Sequence, residues 1–164
     1  MLTRRMALTG AAASGLAWSV AAGRRAVAAP AETFPVMHSD AGWRHLLTPA
    51  QYAVLRQSAT ERPFTSPLLD EHRAGIFACA GCTRGLFSSE TKFESGTGWP
   101  SFWAPLNDSA VGTAPDTSLG MIRTAVHCAG CGGHVGHVFN DGPPVTGLRY
   151  CMNGVAMTFK PAAA

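Results

Sequence analysis

Residues 128–133 read CAGCGG, and the related sequence CAGC stands at residues 79–82. The two residues between each pair of cysteines let both sulfurs bind one metal ion, and the glycines let the backbone turn tightly beneath it. Two such pairs supply the four thiolates of a closed tetrahedral zinc site, which stabilises a fold and leaves no open position for a reaction. The predicted ligands of this structural Zn²⁺ are Cys79, Cys82, Cys128 and Cys131.

The first 28 residues predict an export signal. A pair of arginines at residues 4–5 precedes a weakly apolar run at 6–23, and AVA at 26–28 fits a cleavage site between small residues. This order resembles a bacterial twin-arginine signal. We therefore expect residues 29–164 to form one periplasmic domain without stable membrane association, and a short uncleaved membrane anchor is the alternative.

The predicted periplasmic location affects which chemistry the cysteine pairs can undergo. In an oxidising compartment the same four cysteines could form two disulfides instead of a metal site. Proteins exported by the twin-arginine route are associated with folding before they cross the membrane, so a metal bound in the reducing cytoplasm would protect the thiols. The 45 residues between Cys82 and Cys128 exceed the usual spacing of one zinc motif, so the joining of the two pairs is an inference.

Charge argues against a nucleic-acid partner. Four of the 13 basic residues and none of the ten acidic residues lie in the signal, which leaves nine against ten and a net charge of −1. A nucleic-acid-binding protein needs clustered lysines and arginines, and no basic patch is evident in residues 29–164.

The order of apolar, turn-forming and helix-capping residues predicts a mainly β protein with a short helical N-terminal part. Thr48, Pro49 and Gln51 have the order of a capping box with proline at the first helical position, so a helix should begin there, with Leu47 and Tyr52 forming a hydrophobic staple. After residue 63, short apolar runs alternate with glycine- and proline-rich turns. We expect two antiparallel sheets in a barrel-like, tent-shaped packing.

The fifth cysteine, Cys151, has no sequence partner. Alternation along a strand would place Arg149, Cys151 and Asn153 on one side. His134 and His137 differ by three positions, so both can reach one cleft only if a bulge interrupts their strand, and an adjacent glycine favours one.

The chemistry of these residues fits a reactive thiol. Cationic or hydrogen-bonding neighbours favour the thiolate of Cys151, and a histidine can move a proton near neutral pH. Far upstream, SGTGWPSFW at residues 95–103 presents Trp99, an aromatic wall suited to a methyl group. A lone buried cysteine is more often an inert apolar residue, so the residues alone leave both interpretations open.

Five stretches carry a resemblance to a known family. They are ERPFTSPL at 61–68, FACAGC at 77–82, LFSSETKFESGTGWPSFW at 86–103, VHCAGCGGHVGHVF at 126–139 and GPPVTGLRYCMN at 142–153. Together they resemble the B-type methionine sulfoxide reductases, which act on the R epimer of methionine sulfoxide. The resemblance implies two antiparallel sheets, a four-cysteine zinc site remote from the reaction, and an oxidised protein or peptide as substrate.

The resemblance also implies the roles of individual residues. Cys151 would be the nucleophile and His137 the main proton donor, aided by His134. Asn153 would position the sulfoxide or the thiol. Trp99 would receive the S-methyl group of the substrate. From its place beside Cys151 in the sequence, we also expect Arg149 among the substrate-binding residues.

The sequence departs from the family pattern at Thr97, where many members have a second cysteine that resolves the sulfenic acid. We therefore expect a one-cysteine enzyme, reduced directly by a small thiol or a thioredoxin-like partner. Asn140 and Gly154 are smaller departures, at positions where the family often has proline or aspartate and serine. Two alternatives are a zinc-stabilised binding module with an idle thiol and a cysteine hydrolase that uses Cys151 and His137.

Overall fold

The computed structural model of the protein describes residues 33–163. The export signal predicted for residues 1–28 lies outside the described residues. Within the described part of the chain, no helix is both long enough and apolar enough to cross a membrane.

Two helices precede the sheets. Helix α1 spans Asp40–Leu46 and helix α2 spans Pro49–Gln57. The predicted capping box of α2 is confirmed, because the Thr48 hydroxyl accepts from the Gln51 backbone N–H and the Gln51 side chain accepts from the Thr48 N–H. Helix α1 was not predicted, since Trp43 is its only buried residue and a seven-residue helix has no apolar stripe to reveal it.

The smaller sheet has three antiparallel strands in the order β2-β1-β9. These strands are β1 at Gly75–Cys79, β2 at Gly85–Ser88 and β9 at Met157–Pro161.

The larger sheet has six antiparallel strands in the order β3-β4-β8-β7-β6-β5. Its strands are β3 at Lys92–Phe93, β4 at Ser101–Phe102, β5 at Val111–Asp116, β6 at Arg123–Cys128, β7 at His134–Phe139 and β8 at Arg149–Met152. Short 3₁₀ turns stand at Ser89–Thr91, Ser118–Gly120 and Gly154–Ala156.

Aromatic side chains join the two sheets. Phe77 and Phe87 of the smaller sheet pack on Phe102 of the larger one, with ring centroids 4.9 and 4.5 Å from it, and all three are fully buried. Such pairs add to the stabilisation from apolar burial. The predicted class, mainly β with two antiparallel sheets and a short helical N-terminal part, is confirmed.

The stretch from Gly147 to Phe159 contributes to both sheets. It divides into β8 and β9, which belong to different sheets, with the turn Gly154–Ala156 between them. At this turn the carboxylate of Glu61 accepts backbone hydrogen bonds from Gly154 and Val155, which hold the turn in place.

Candidate active site and metal centre

The four paired cysteines come together at one end of the two sheets. Their sulfur atoms all lie within 4.8 Å of one another. The closest contacts join one pair to the other, with 3.7 Å between the sulfurs of Cys79 and Cys131 and 3.4 Å between those of Cys82 and Cys128. A tetrahedron with metal–sulfur bonds of about 2.3 Å has edges of roughly 3.8 Å, so these four sulfurs fit around a single ion.

The backbone around the cysteines suits thiolates. The N–H groups of Gly81 and Gly130 point at the sulfurs of Cys79 and Cys128, at 3.4 and 3.3 Å. Donors aimed at sulfur stabilise a negative charge there. All five cysteines are free of disulfide bonds, and the predicted four-cysteine metal centre is present as a set of ligands.

Crowding of the thiols has an electrostatic consequence. Hydrogen bonds among them, from Cys128 above all, raise the pKa of Cys79 and lower that of Cys82. A divalent cation removes this competition for protons because it binds every sulfur as thiolate.

Cys151 lies apart from this centre in a cavity of about 120 Å³. The residues lining the cavity are Thr60, Trp99, Arg123, Gly136, His137, Phe139, Cys151 and Asn153. The structure thus brings together four of the predicted site residues, Trp99, His137, Cys151 and Asn153. Their catalytic and binding roles remain predictions.

Strand pairing sets the relative positions of His137 and Cys151 in this cavity. His137 of β7 and Cys151 of β8 are directly opposite in the antiparallel ladder. Gly136 allows the close approach of the two strands, because a Cβ atom there would lie 2.2 Å from the carbonyl oxygen of Cys151. A side chain of any size at this position would separate the strands.

His137 is held by a carboxylate that the sequence analysis did not identify. Its Nε2 lies 2.7 Å from Oδ2 of Asp116, and the same oxygen accepts a 2.7 Å hydrogen bond from Arg123. Hydrogen bonds from Ser118 first, then the contact with His137, hold the pKa of Asp116 well below its usual range. The ionised carboxylate requires a proton on Nε2, so Nδ1 is the ring nitrogen that can exchange a proton with a ligand.

His134 lies behind His137 and outside the cavity of Cys151. The two rings meet edge to face with centroids 5.2 Å apart, because the register of β6 and β7 shifts between Val126 and His127. This irregularity is the bulge that the sequence suggested. His134 is 7% exposed and lines the next cavity along the surface. Burial, followed by the charge of His137, lowers the pKa of His134 to about 4, so this ring is neutral at neutral pH.

Asn153 is fixed by two backbone groups although it lies beyond the end of β8. Its Oδ1 accepts from the N–H of Glu61 at 2.9 Å and its Nδ2 donates to the carbonyl of Val135 at 3.2 Å. It is 3% exposed. The amide is therefore rigid, and it ties the loop around Glu61 to the cavity.

Trp99 stands on a glycine-rich loop whose shape the sequence explains. Gly96 and Gly98 both have positive φ, at 70° and 90°, a conformation that residues with a side chain rarely adopt. The indole N–H donates to the carbonyl of Glu61 at 3.1 Å. The Thr97 hydroxyl between the two glycines lies 3.7 Å from the sulfur of Cys151.

Arg149 does not line the cavity but lies beside it. Its guanidinium makes two hydrogen bonds to Asp141, of 2.8 and 2.7 Å, and stacks over Phe139 at 4.5 Å. The contact with Asp141 raises the pKa of Arg149, and the proximity of Cys151 adds to the rise. Arg149 therefore brings positive charge close to the thiol.

Comparison with known proteins agrees with this arrangement. The SelR domain family matches residues 47–161. A protein of Agrobacterium fabrum named peptide methionine sulfoxide reductase MsrB is 54% identical over 126 residues, which cover 77% of this chain and 93% of that protein. A protein of the same name from Pseudomonas putida is 59% identical over 119 residues, covering 73% of this chain and 90% of its own length.

A cavity with a cysteine and a histidine, separate from a four-cysteine centre, suits a thiol-based oxidoreductase, and these matches show that class. The chain belongs to the SelR domain family, the MsrB family of peptide methionine sulfoxide reductases.

Proposed function

We propose that the protein reduces the R epimer of methionine sulfoxide in proteins or peptides to methionine, with Cys151 as the group that accepts the oxygen. The observation that carries this proposal is the cavity shared by Cys151, His137, Asn153 and Trp99. A cavity of about 120 Å³ suits a single short side chain rather than a whole folded partner.

In the first step, the Cys151 thiolate attacks the sulfoxide sulfur while a proton is delivered to the oxygen. His137 is the donor, through Nδ1, because its Nε2 is held by Asp116. Proton delivery is needed because an oxide ion is a poor leaving group. The net reaction consumes one thiolate, one sulfoxide and one proton, and it yields a cysteine sulfenic acid and methionine.

In the second step, external thiols restore Cys151. Two thiol groups reduce the sulfenic acid to a thiol, and they leave as one disulfide and one water molecule. Thr97 stands within 3.7 Å of the Cys151 sulfur, where a resolving cysteine would be needed, and it has no redox chemistry. A small thiol or a thioredoxin-like protein is therefore the reductant, and this is a one-cysteine enzyme.

The remaining residues orient the reactants. Trp99 forms the wall for the S-methyl group, and Asn153 presents an amide whose orientation is fixed by Glu61 and Val135. Arg149 stabilises the thiolate by its charge, and its anchoring by Asp141 keeps that charge in place.

We propose zinc as the ion of the four-cysteine centre, because an all-thiolate tetrahedral set is typical of structural zinc. With its four positions filled by protein, the ion would hold the ends of the two sheets together and take no part in turnover. Elemental analysis of the purified protein should find one zinc per chain, and a zinc content near zero with all five thiols titratable would contradict it.

We also propose that the protein acts in the periplasm, on the basis of the twin arginine at residues 4–5. Replacement of both arginines by lysine should retain the protein in the cytoplasm. Unchanged export of that variant, measured by cell fractionation, would contradict a twin-arginine route.

The test of the activity uses separate R and S sulfoxides of a blocked methionine with dithiothreitol as reductant. Wild type should reduce the R epimer only, and Cys151→Ser should reduce neither. A binding module with an idle thiol predicts no turnover by either protein. A cysteine hydrolase predicts cleavage of ester or amide substrates without consumption of reductant.

A further inference from the structure

A line of hydroxyl groups ends at the sulfur of Cys151. Thr97 Oγ1 lies 3.7 Å from that sulfur and 2.9 Å from Ser95 Oγ. Ser95 Oγ lies 2.7 Å from Ser101 Oγ, and the Ser101 hydroxyl donates to the carbonyl oxygen of Trp99 at 3.1 Å. Ser101 is 1% exposed and faces Cys151 across strands β4 and β8, so one end of this line of hydroxyl groups is anchored in the sheet, whereas Ser95 and Thr97 lie in the loop between β3 and β4.

The direction of these hydrogen bonds follows from counting protons. Each hydroxyl has one proton to donate. Ser101 uses its proton on Trp99, so Ser95 must donate to Ser101, and Thr97 must donate to Ser95. In this arrangement the Thr97 oxygen is an acceptor, and it receives the S–H of a protonated Cys151.

The arrangement must change when Cys151 loses its proton, because a thiolate can only accept. The three hydroxyls can rotate together, so that Ser101 donates to Ser95, Ser95 to Thr97, and Thr97 to the thiolate. Ser95 still accepts from the backbone N–H of Thr97 at 3.4 Å, and the only bond given up is the one to the Trp99 carbonyl. The rotation transfers no proton along the chain.

We propose that this hydroxyl chain stabilises the thiolate of Cys151, with Thr97 as the direct donor and Ser95 and Ser101 as positioning residues. The inference rests on the proposed function in that Cys151 reacts as a thiolate. Thr97 thus has a task of its own at the position where a resolving cysteine is expected. This hydroxyl chain also links the charge on Cys151 to the backbone carbonyl of Trp99, whose indole lines the cavity.

The test measures the thiol itself rather than turnover. Full-length, metal-loaded protein is alkylated with iodoacetamide between pH 5 and pH 10, and mass spectrometry verifies that Cys151 alone is modified. Thr97→Val removes the hydroxyl and keeps the shape. It should react about tenfold more slowly than wild type near neutral pH, the effect of one lost hydrogen bond to a charged group, and equally fast at high pH.

Three further variants complete the design. Thr97→Ser keeps the hydroxyl and should restore the wild-type profile, whereas Ser95→Ala should fall between wild type and Thr97→Val. Thr146→Val is the matched control, because the Thr146 hydroxyl also donates to a backbone carbonyl, that of Trp103, but has no link to Cys151.

Superimposable profiles for wild type and Thr97→Val would overturn the proposal, and so would a Thr97→Ser profile as slow as that of Thr97→Val. Either result would stand whether or not the protein reduces sulfoxides. Conversely, a slowed Thr97→Val profile in a protein that fails the sulfoxide assay would overturn the proposed function and retain the hydroxyl chain.

Discussion

His137 and Cys151 are paired positions on adjacent antiparallel strands, and both side chains line one cavity. Their separation is therefore set by the backbone hydrogen bonds of β7 and β8 rather than by a flexible loop. Rigid elements hold reacting groups more accurately than loops do.

Gly136→Ala should disturb this pairing. The new methyl group would lie 2.2 Å from the Cys151 carbonyl oxygen and 2.8 Å from the Met152 side chain, so the two strands must move apart. Displacement of about 1 Å at a reacting centre can cost on the order of a hundredfold in rate, and we expect a loss of that size in kcat/KM. Val138→Ala on the same strand should lower Tm but keep most of the activity; equal activity losses in both variants would contradict this account.

Asp116→Asn should slow proton delivery by His137. The amide has nearly the shape of the carboxylate, but it carries no charge and no longer requires a proton on Nε2, so the His137 ring is held less firmly in one tautomer. We expect kcat/KM to fall about tenfold to a hundredfold. Glu71→Gln is the control, since Glu71 also pairs with an arginine, Arg73, but lies outside the cavity. Wild-type activity in Asp116→Asn would rule out this role for Asp116.

His134 should make the protein less stable in mild acid. Its pKa is about 4 in the folded state, below the 6.5 of an unperturbed histidine, so between these values the unfolded chain binds more protons. The free energy of unfolding should therefore fall as pH decreases from about 6.5 to about 4, by on the order of 2 kcal/mol. His134→Gln should lack this contribution to the pH dependence of the free energy of unfolding.

The measurement is urea unfolding of wild type and His134→Gln at matched pH values. Loss of metal in acid affects both proteins, so the difference between them at each pH isolates the histidine. A difference that stays constant from pH 7 to pH 4 would contradict the buried neutral state of His134.

Gly154 is explained by its neighbour Ser66. A Cβ atom at Gly154 would lie 1.8 Å from the Ser66 hydroxyl oxygen, and Ser66 is itself buried, where its oxygen accepts from the N–H of Leu68. Gly154→Ser should thus destabilise the protein by about 2 kcal/mol through overpacking. In the background of Ser66→Gly the same change should cost much less, and a double-mutant cycle without coupling would contradict this packing argument.

Much of this site follows from sequence, and the reasons are local. The cysteine pairs and the capping box of α2 each involve residues within a few positions of one another, so they can be recognised from the sequence alone. Asp116 and Arg123 were missed because they reach His137 only after β5, β6 and β7 have paired. Glu61 was missed for the same reason, since it contacts residues more than 90 positions away.

The central claim is that Cys151 takes the oxygen of the substrate and that no second cysteine resolves it. The most direct test is the intact mass of the protein after a single turnover with methionine R-sulfoxide and no reductant. We predict one methionine released per chain and a mass gain of one oxygen atom, located on Cys151 by trapping with dimedone. A loss of two hydrogen atoms, with Cys151 in an intramolecular disulfide, or full methionine release by Cys151→Ser, would contradict the account.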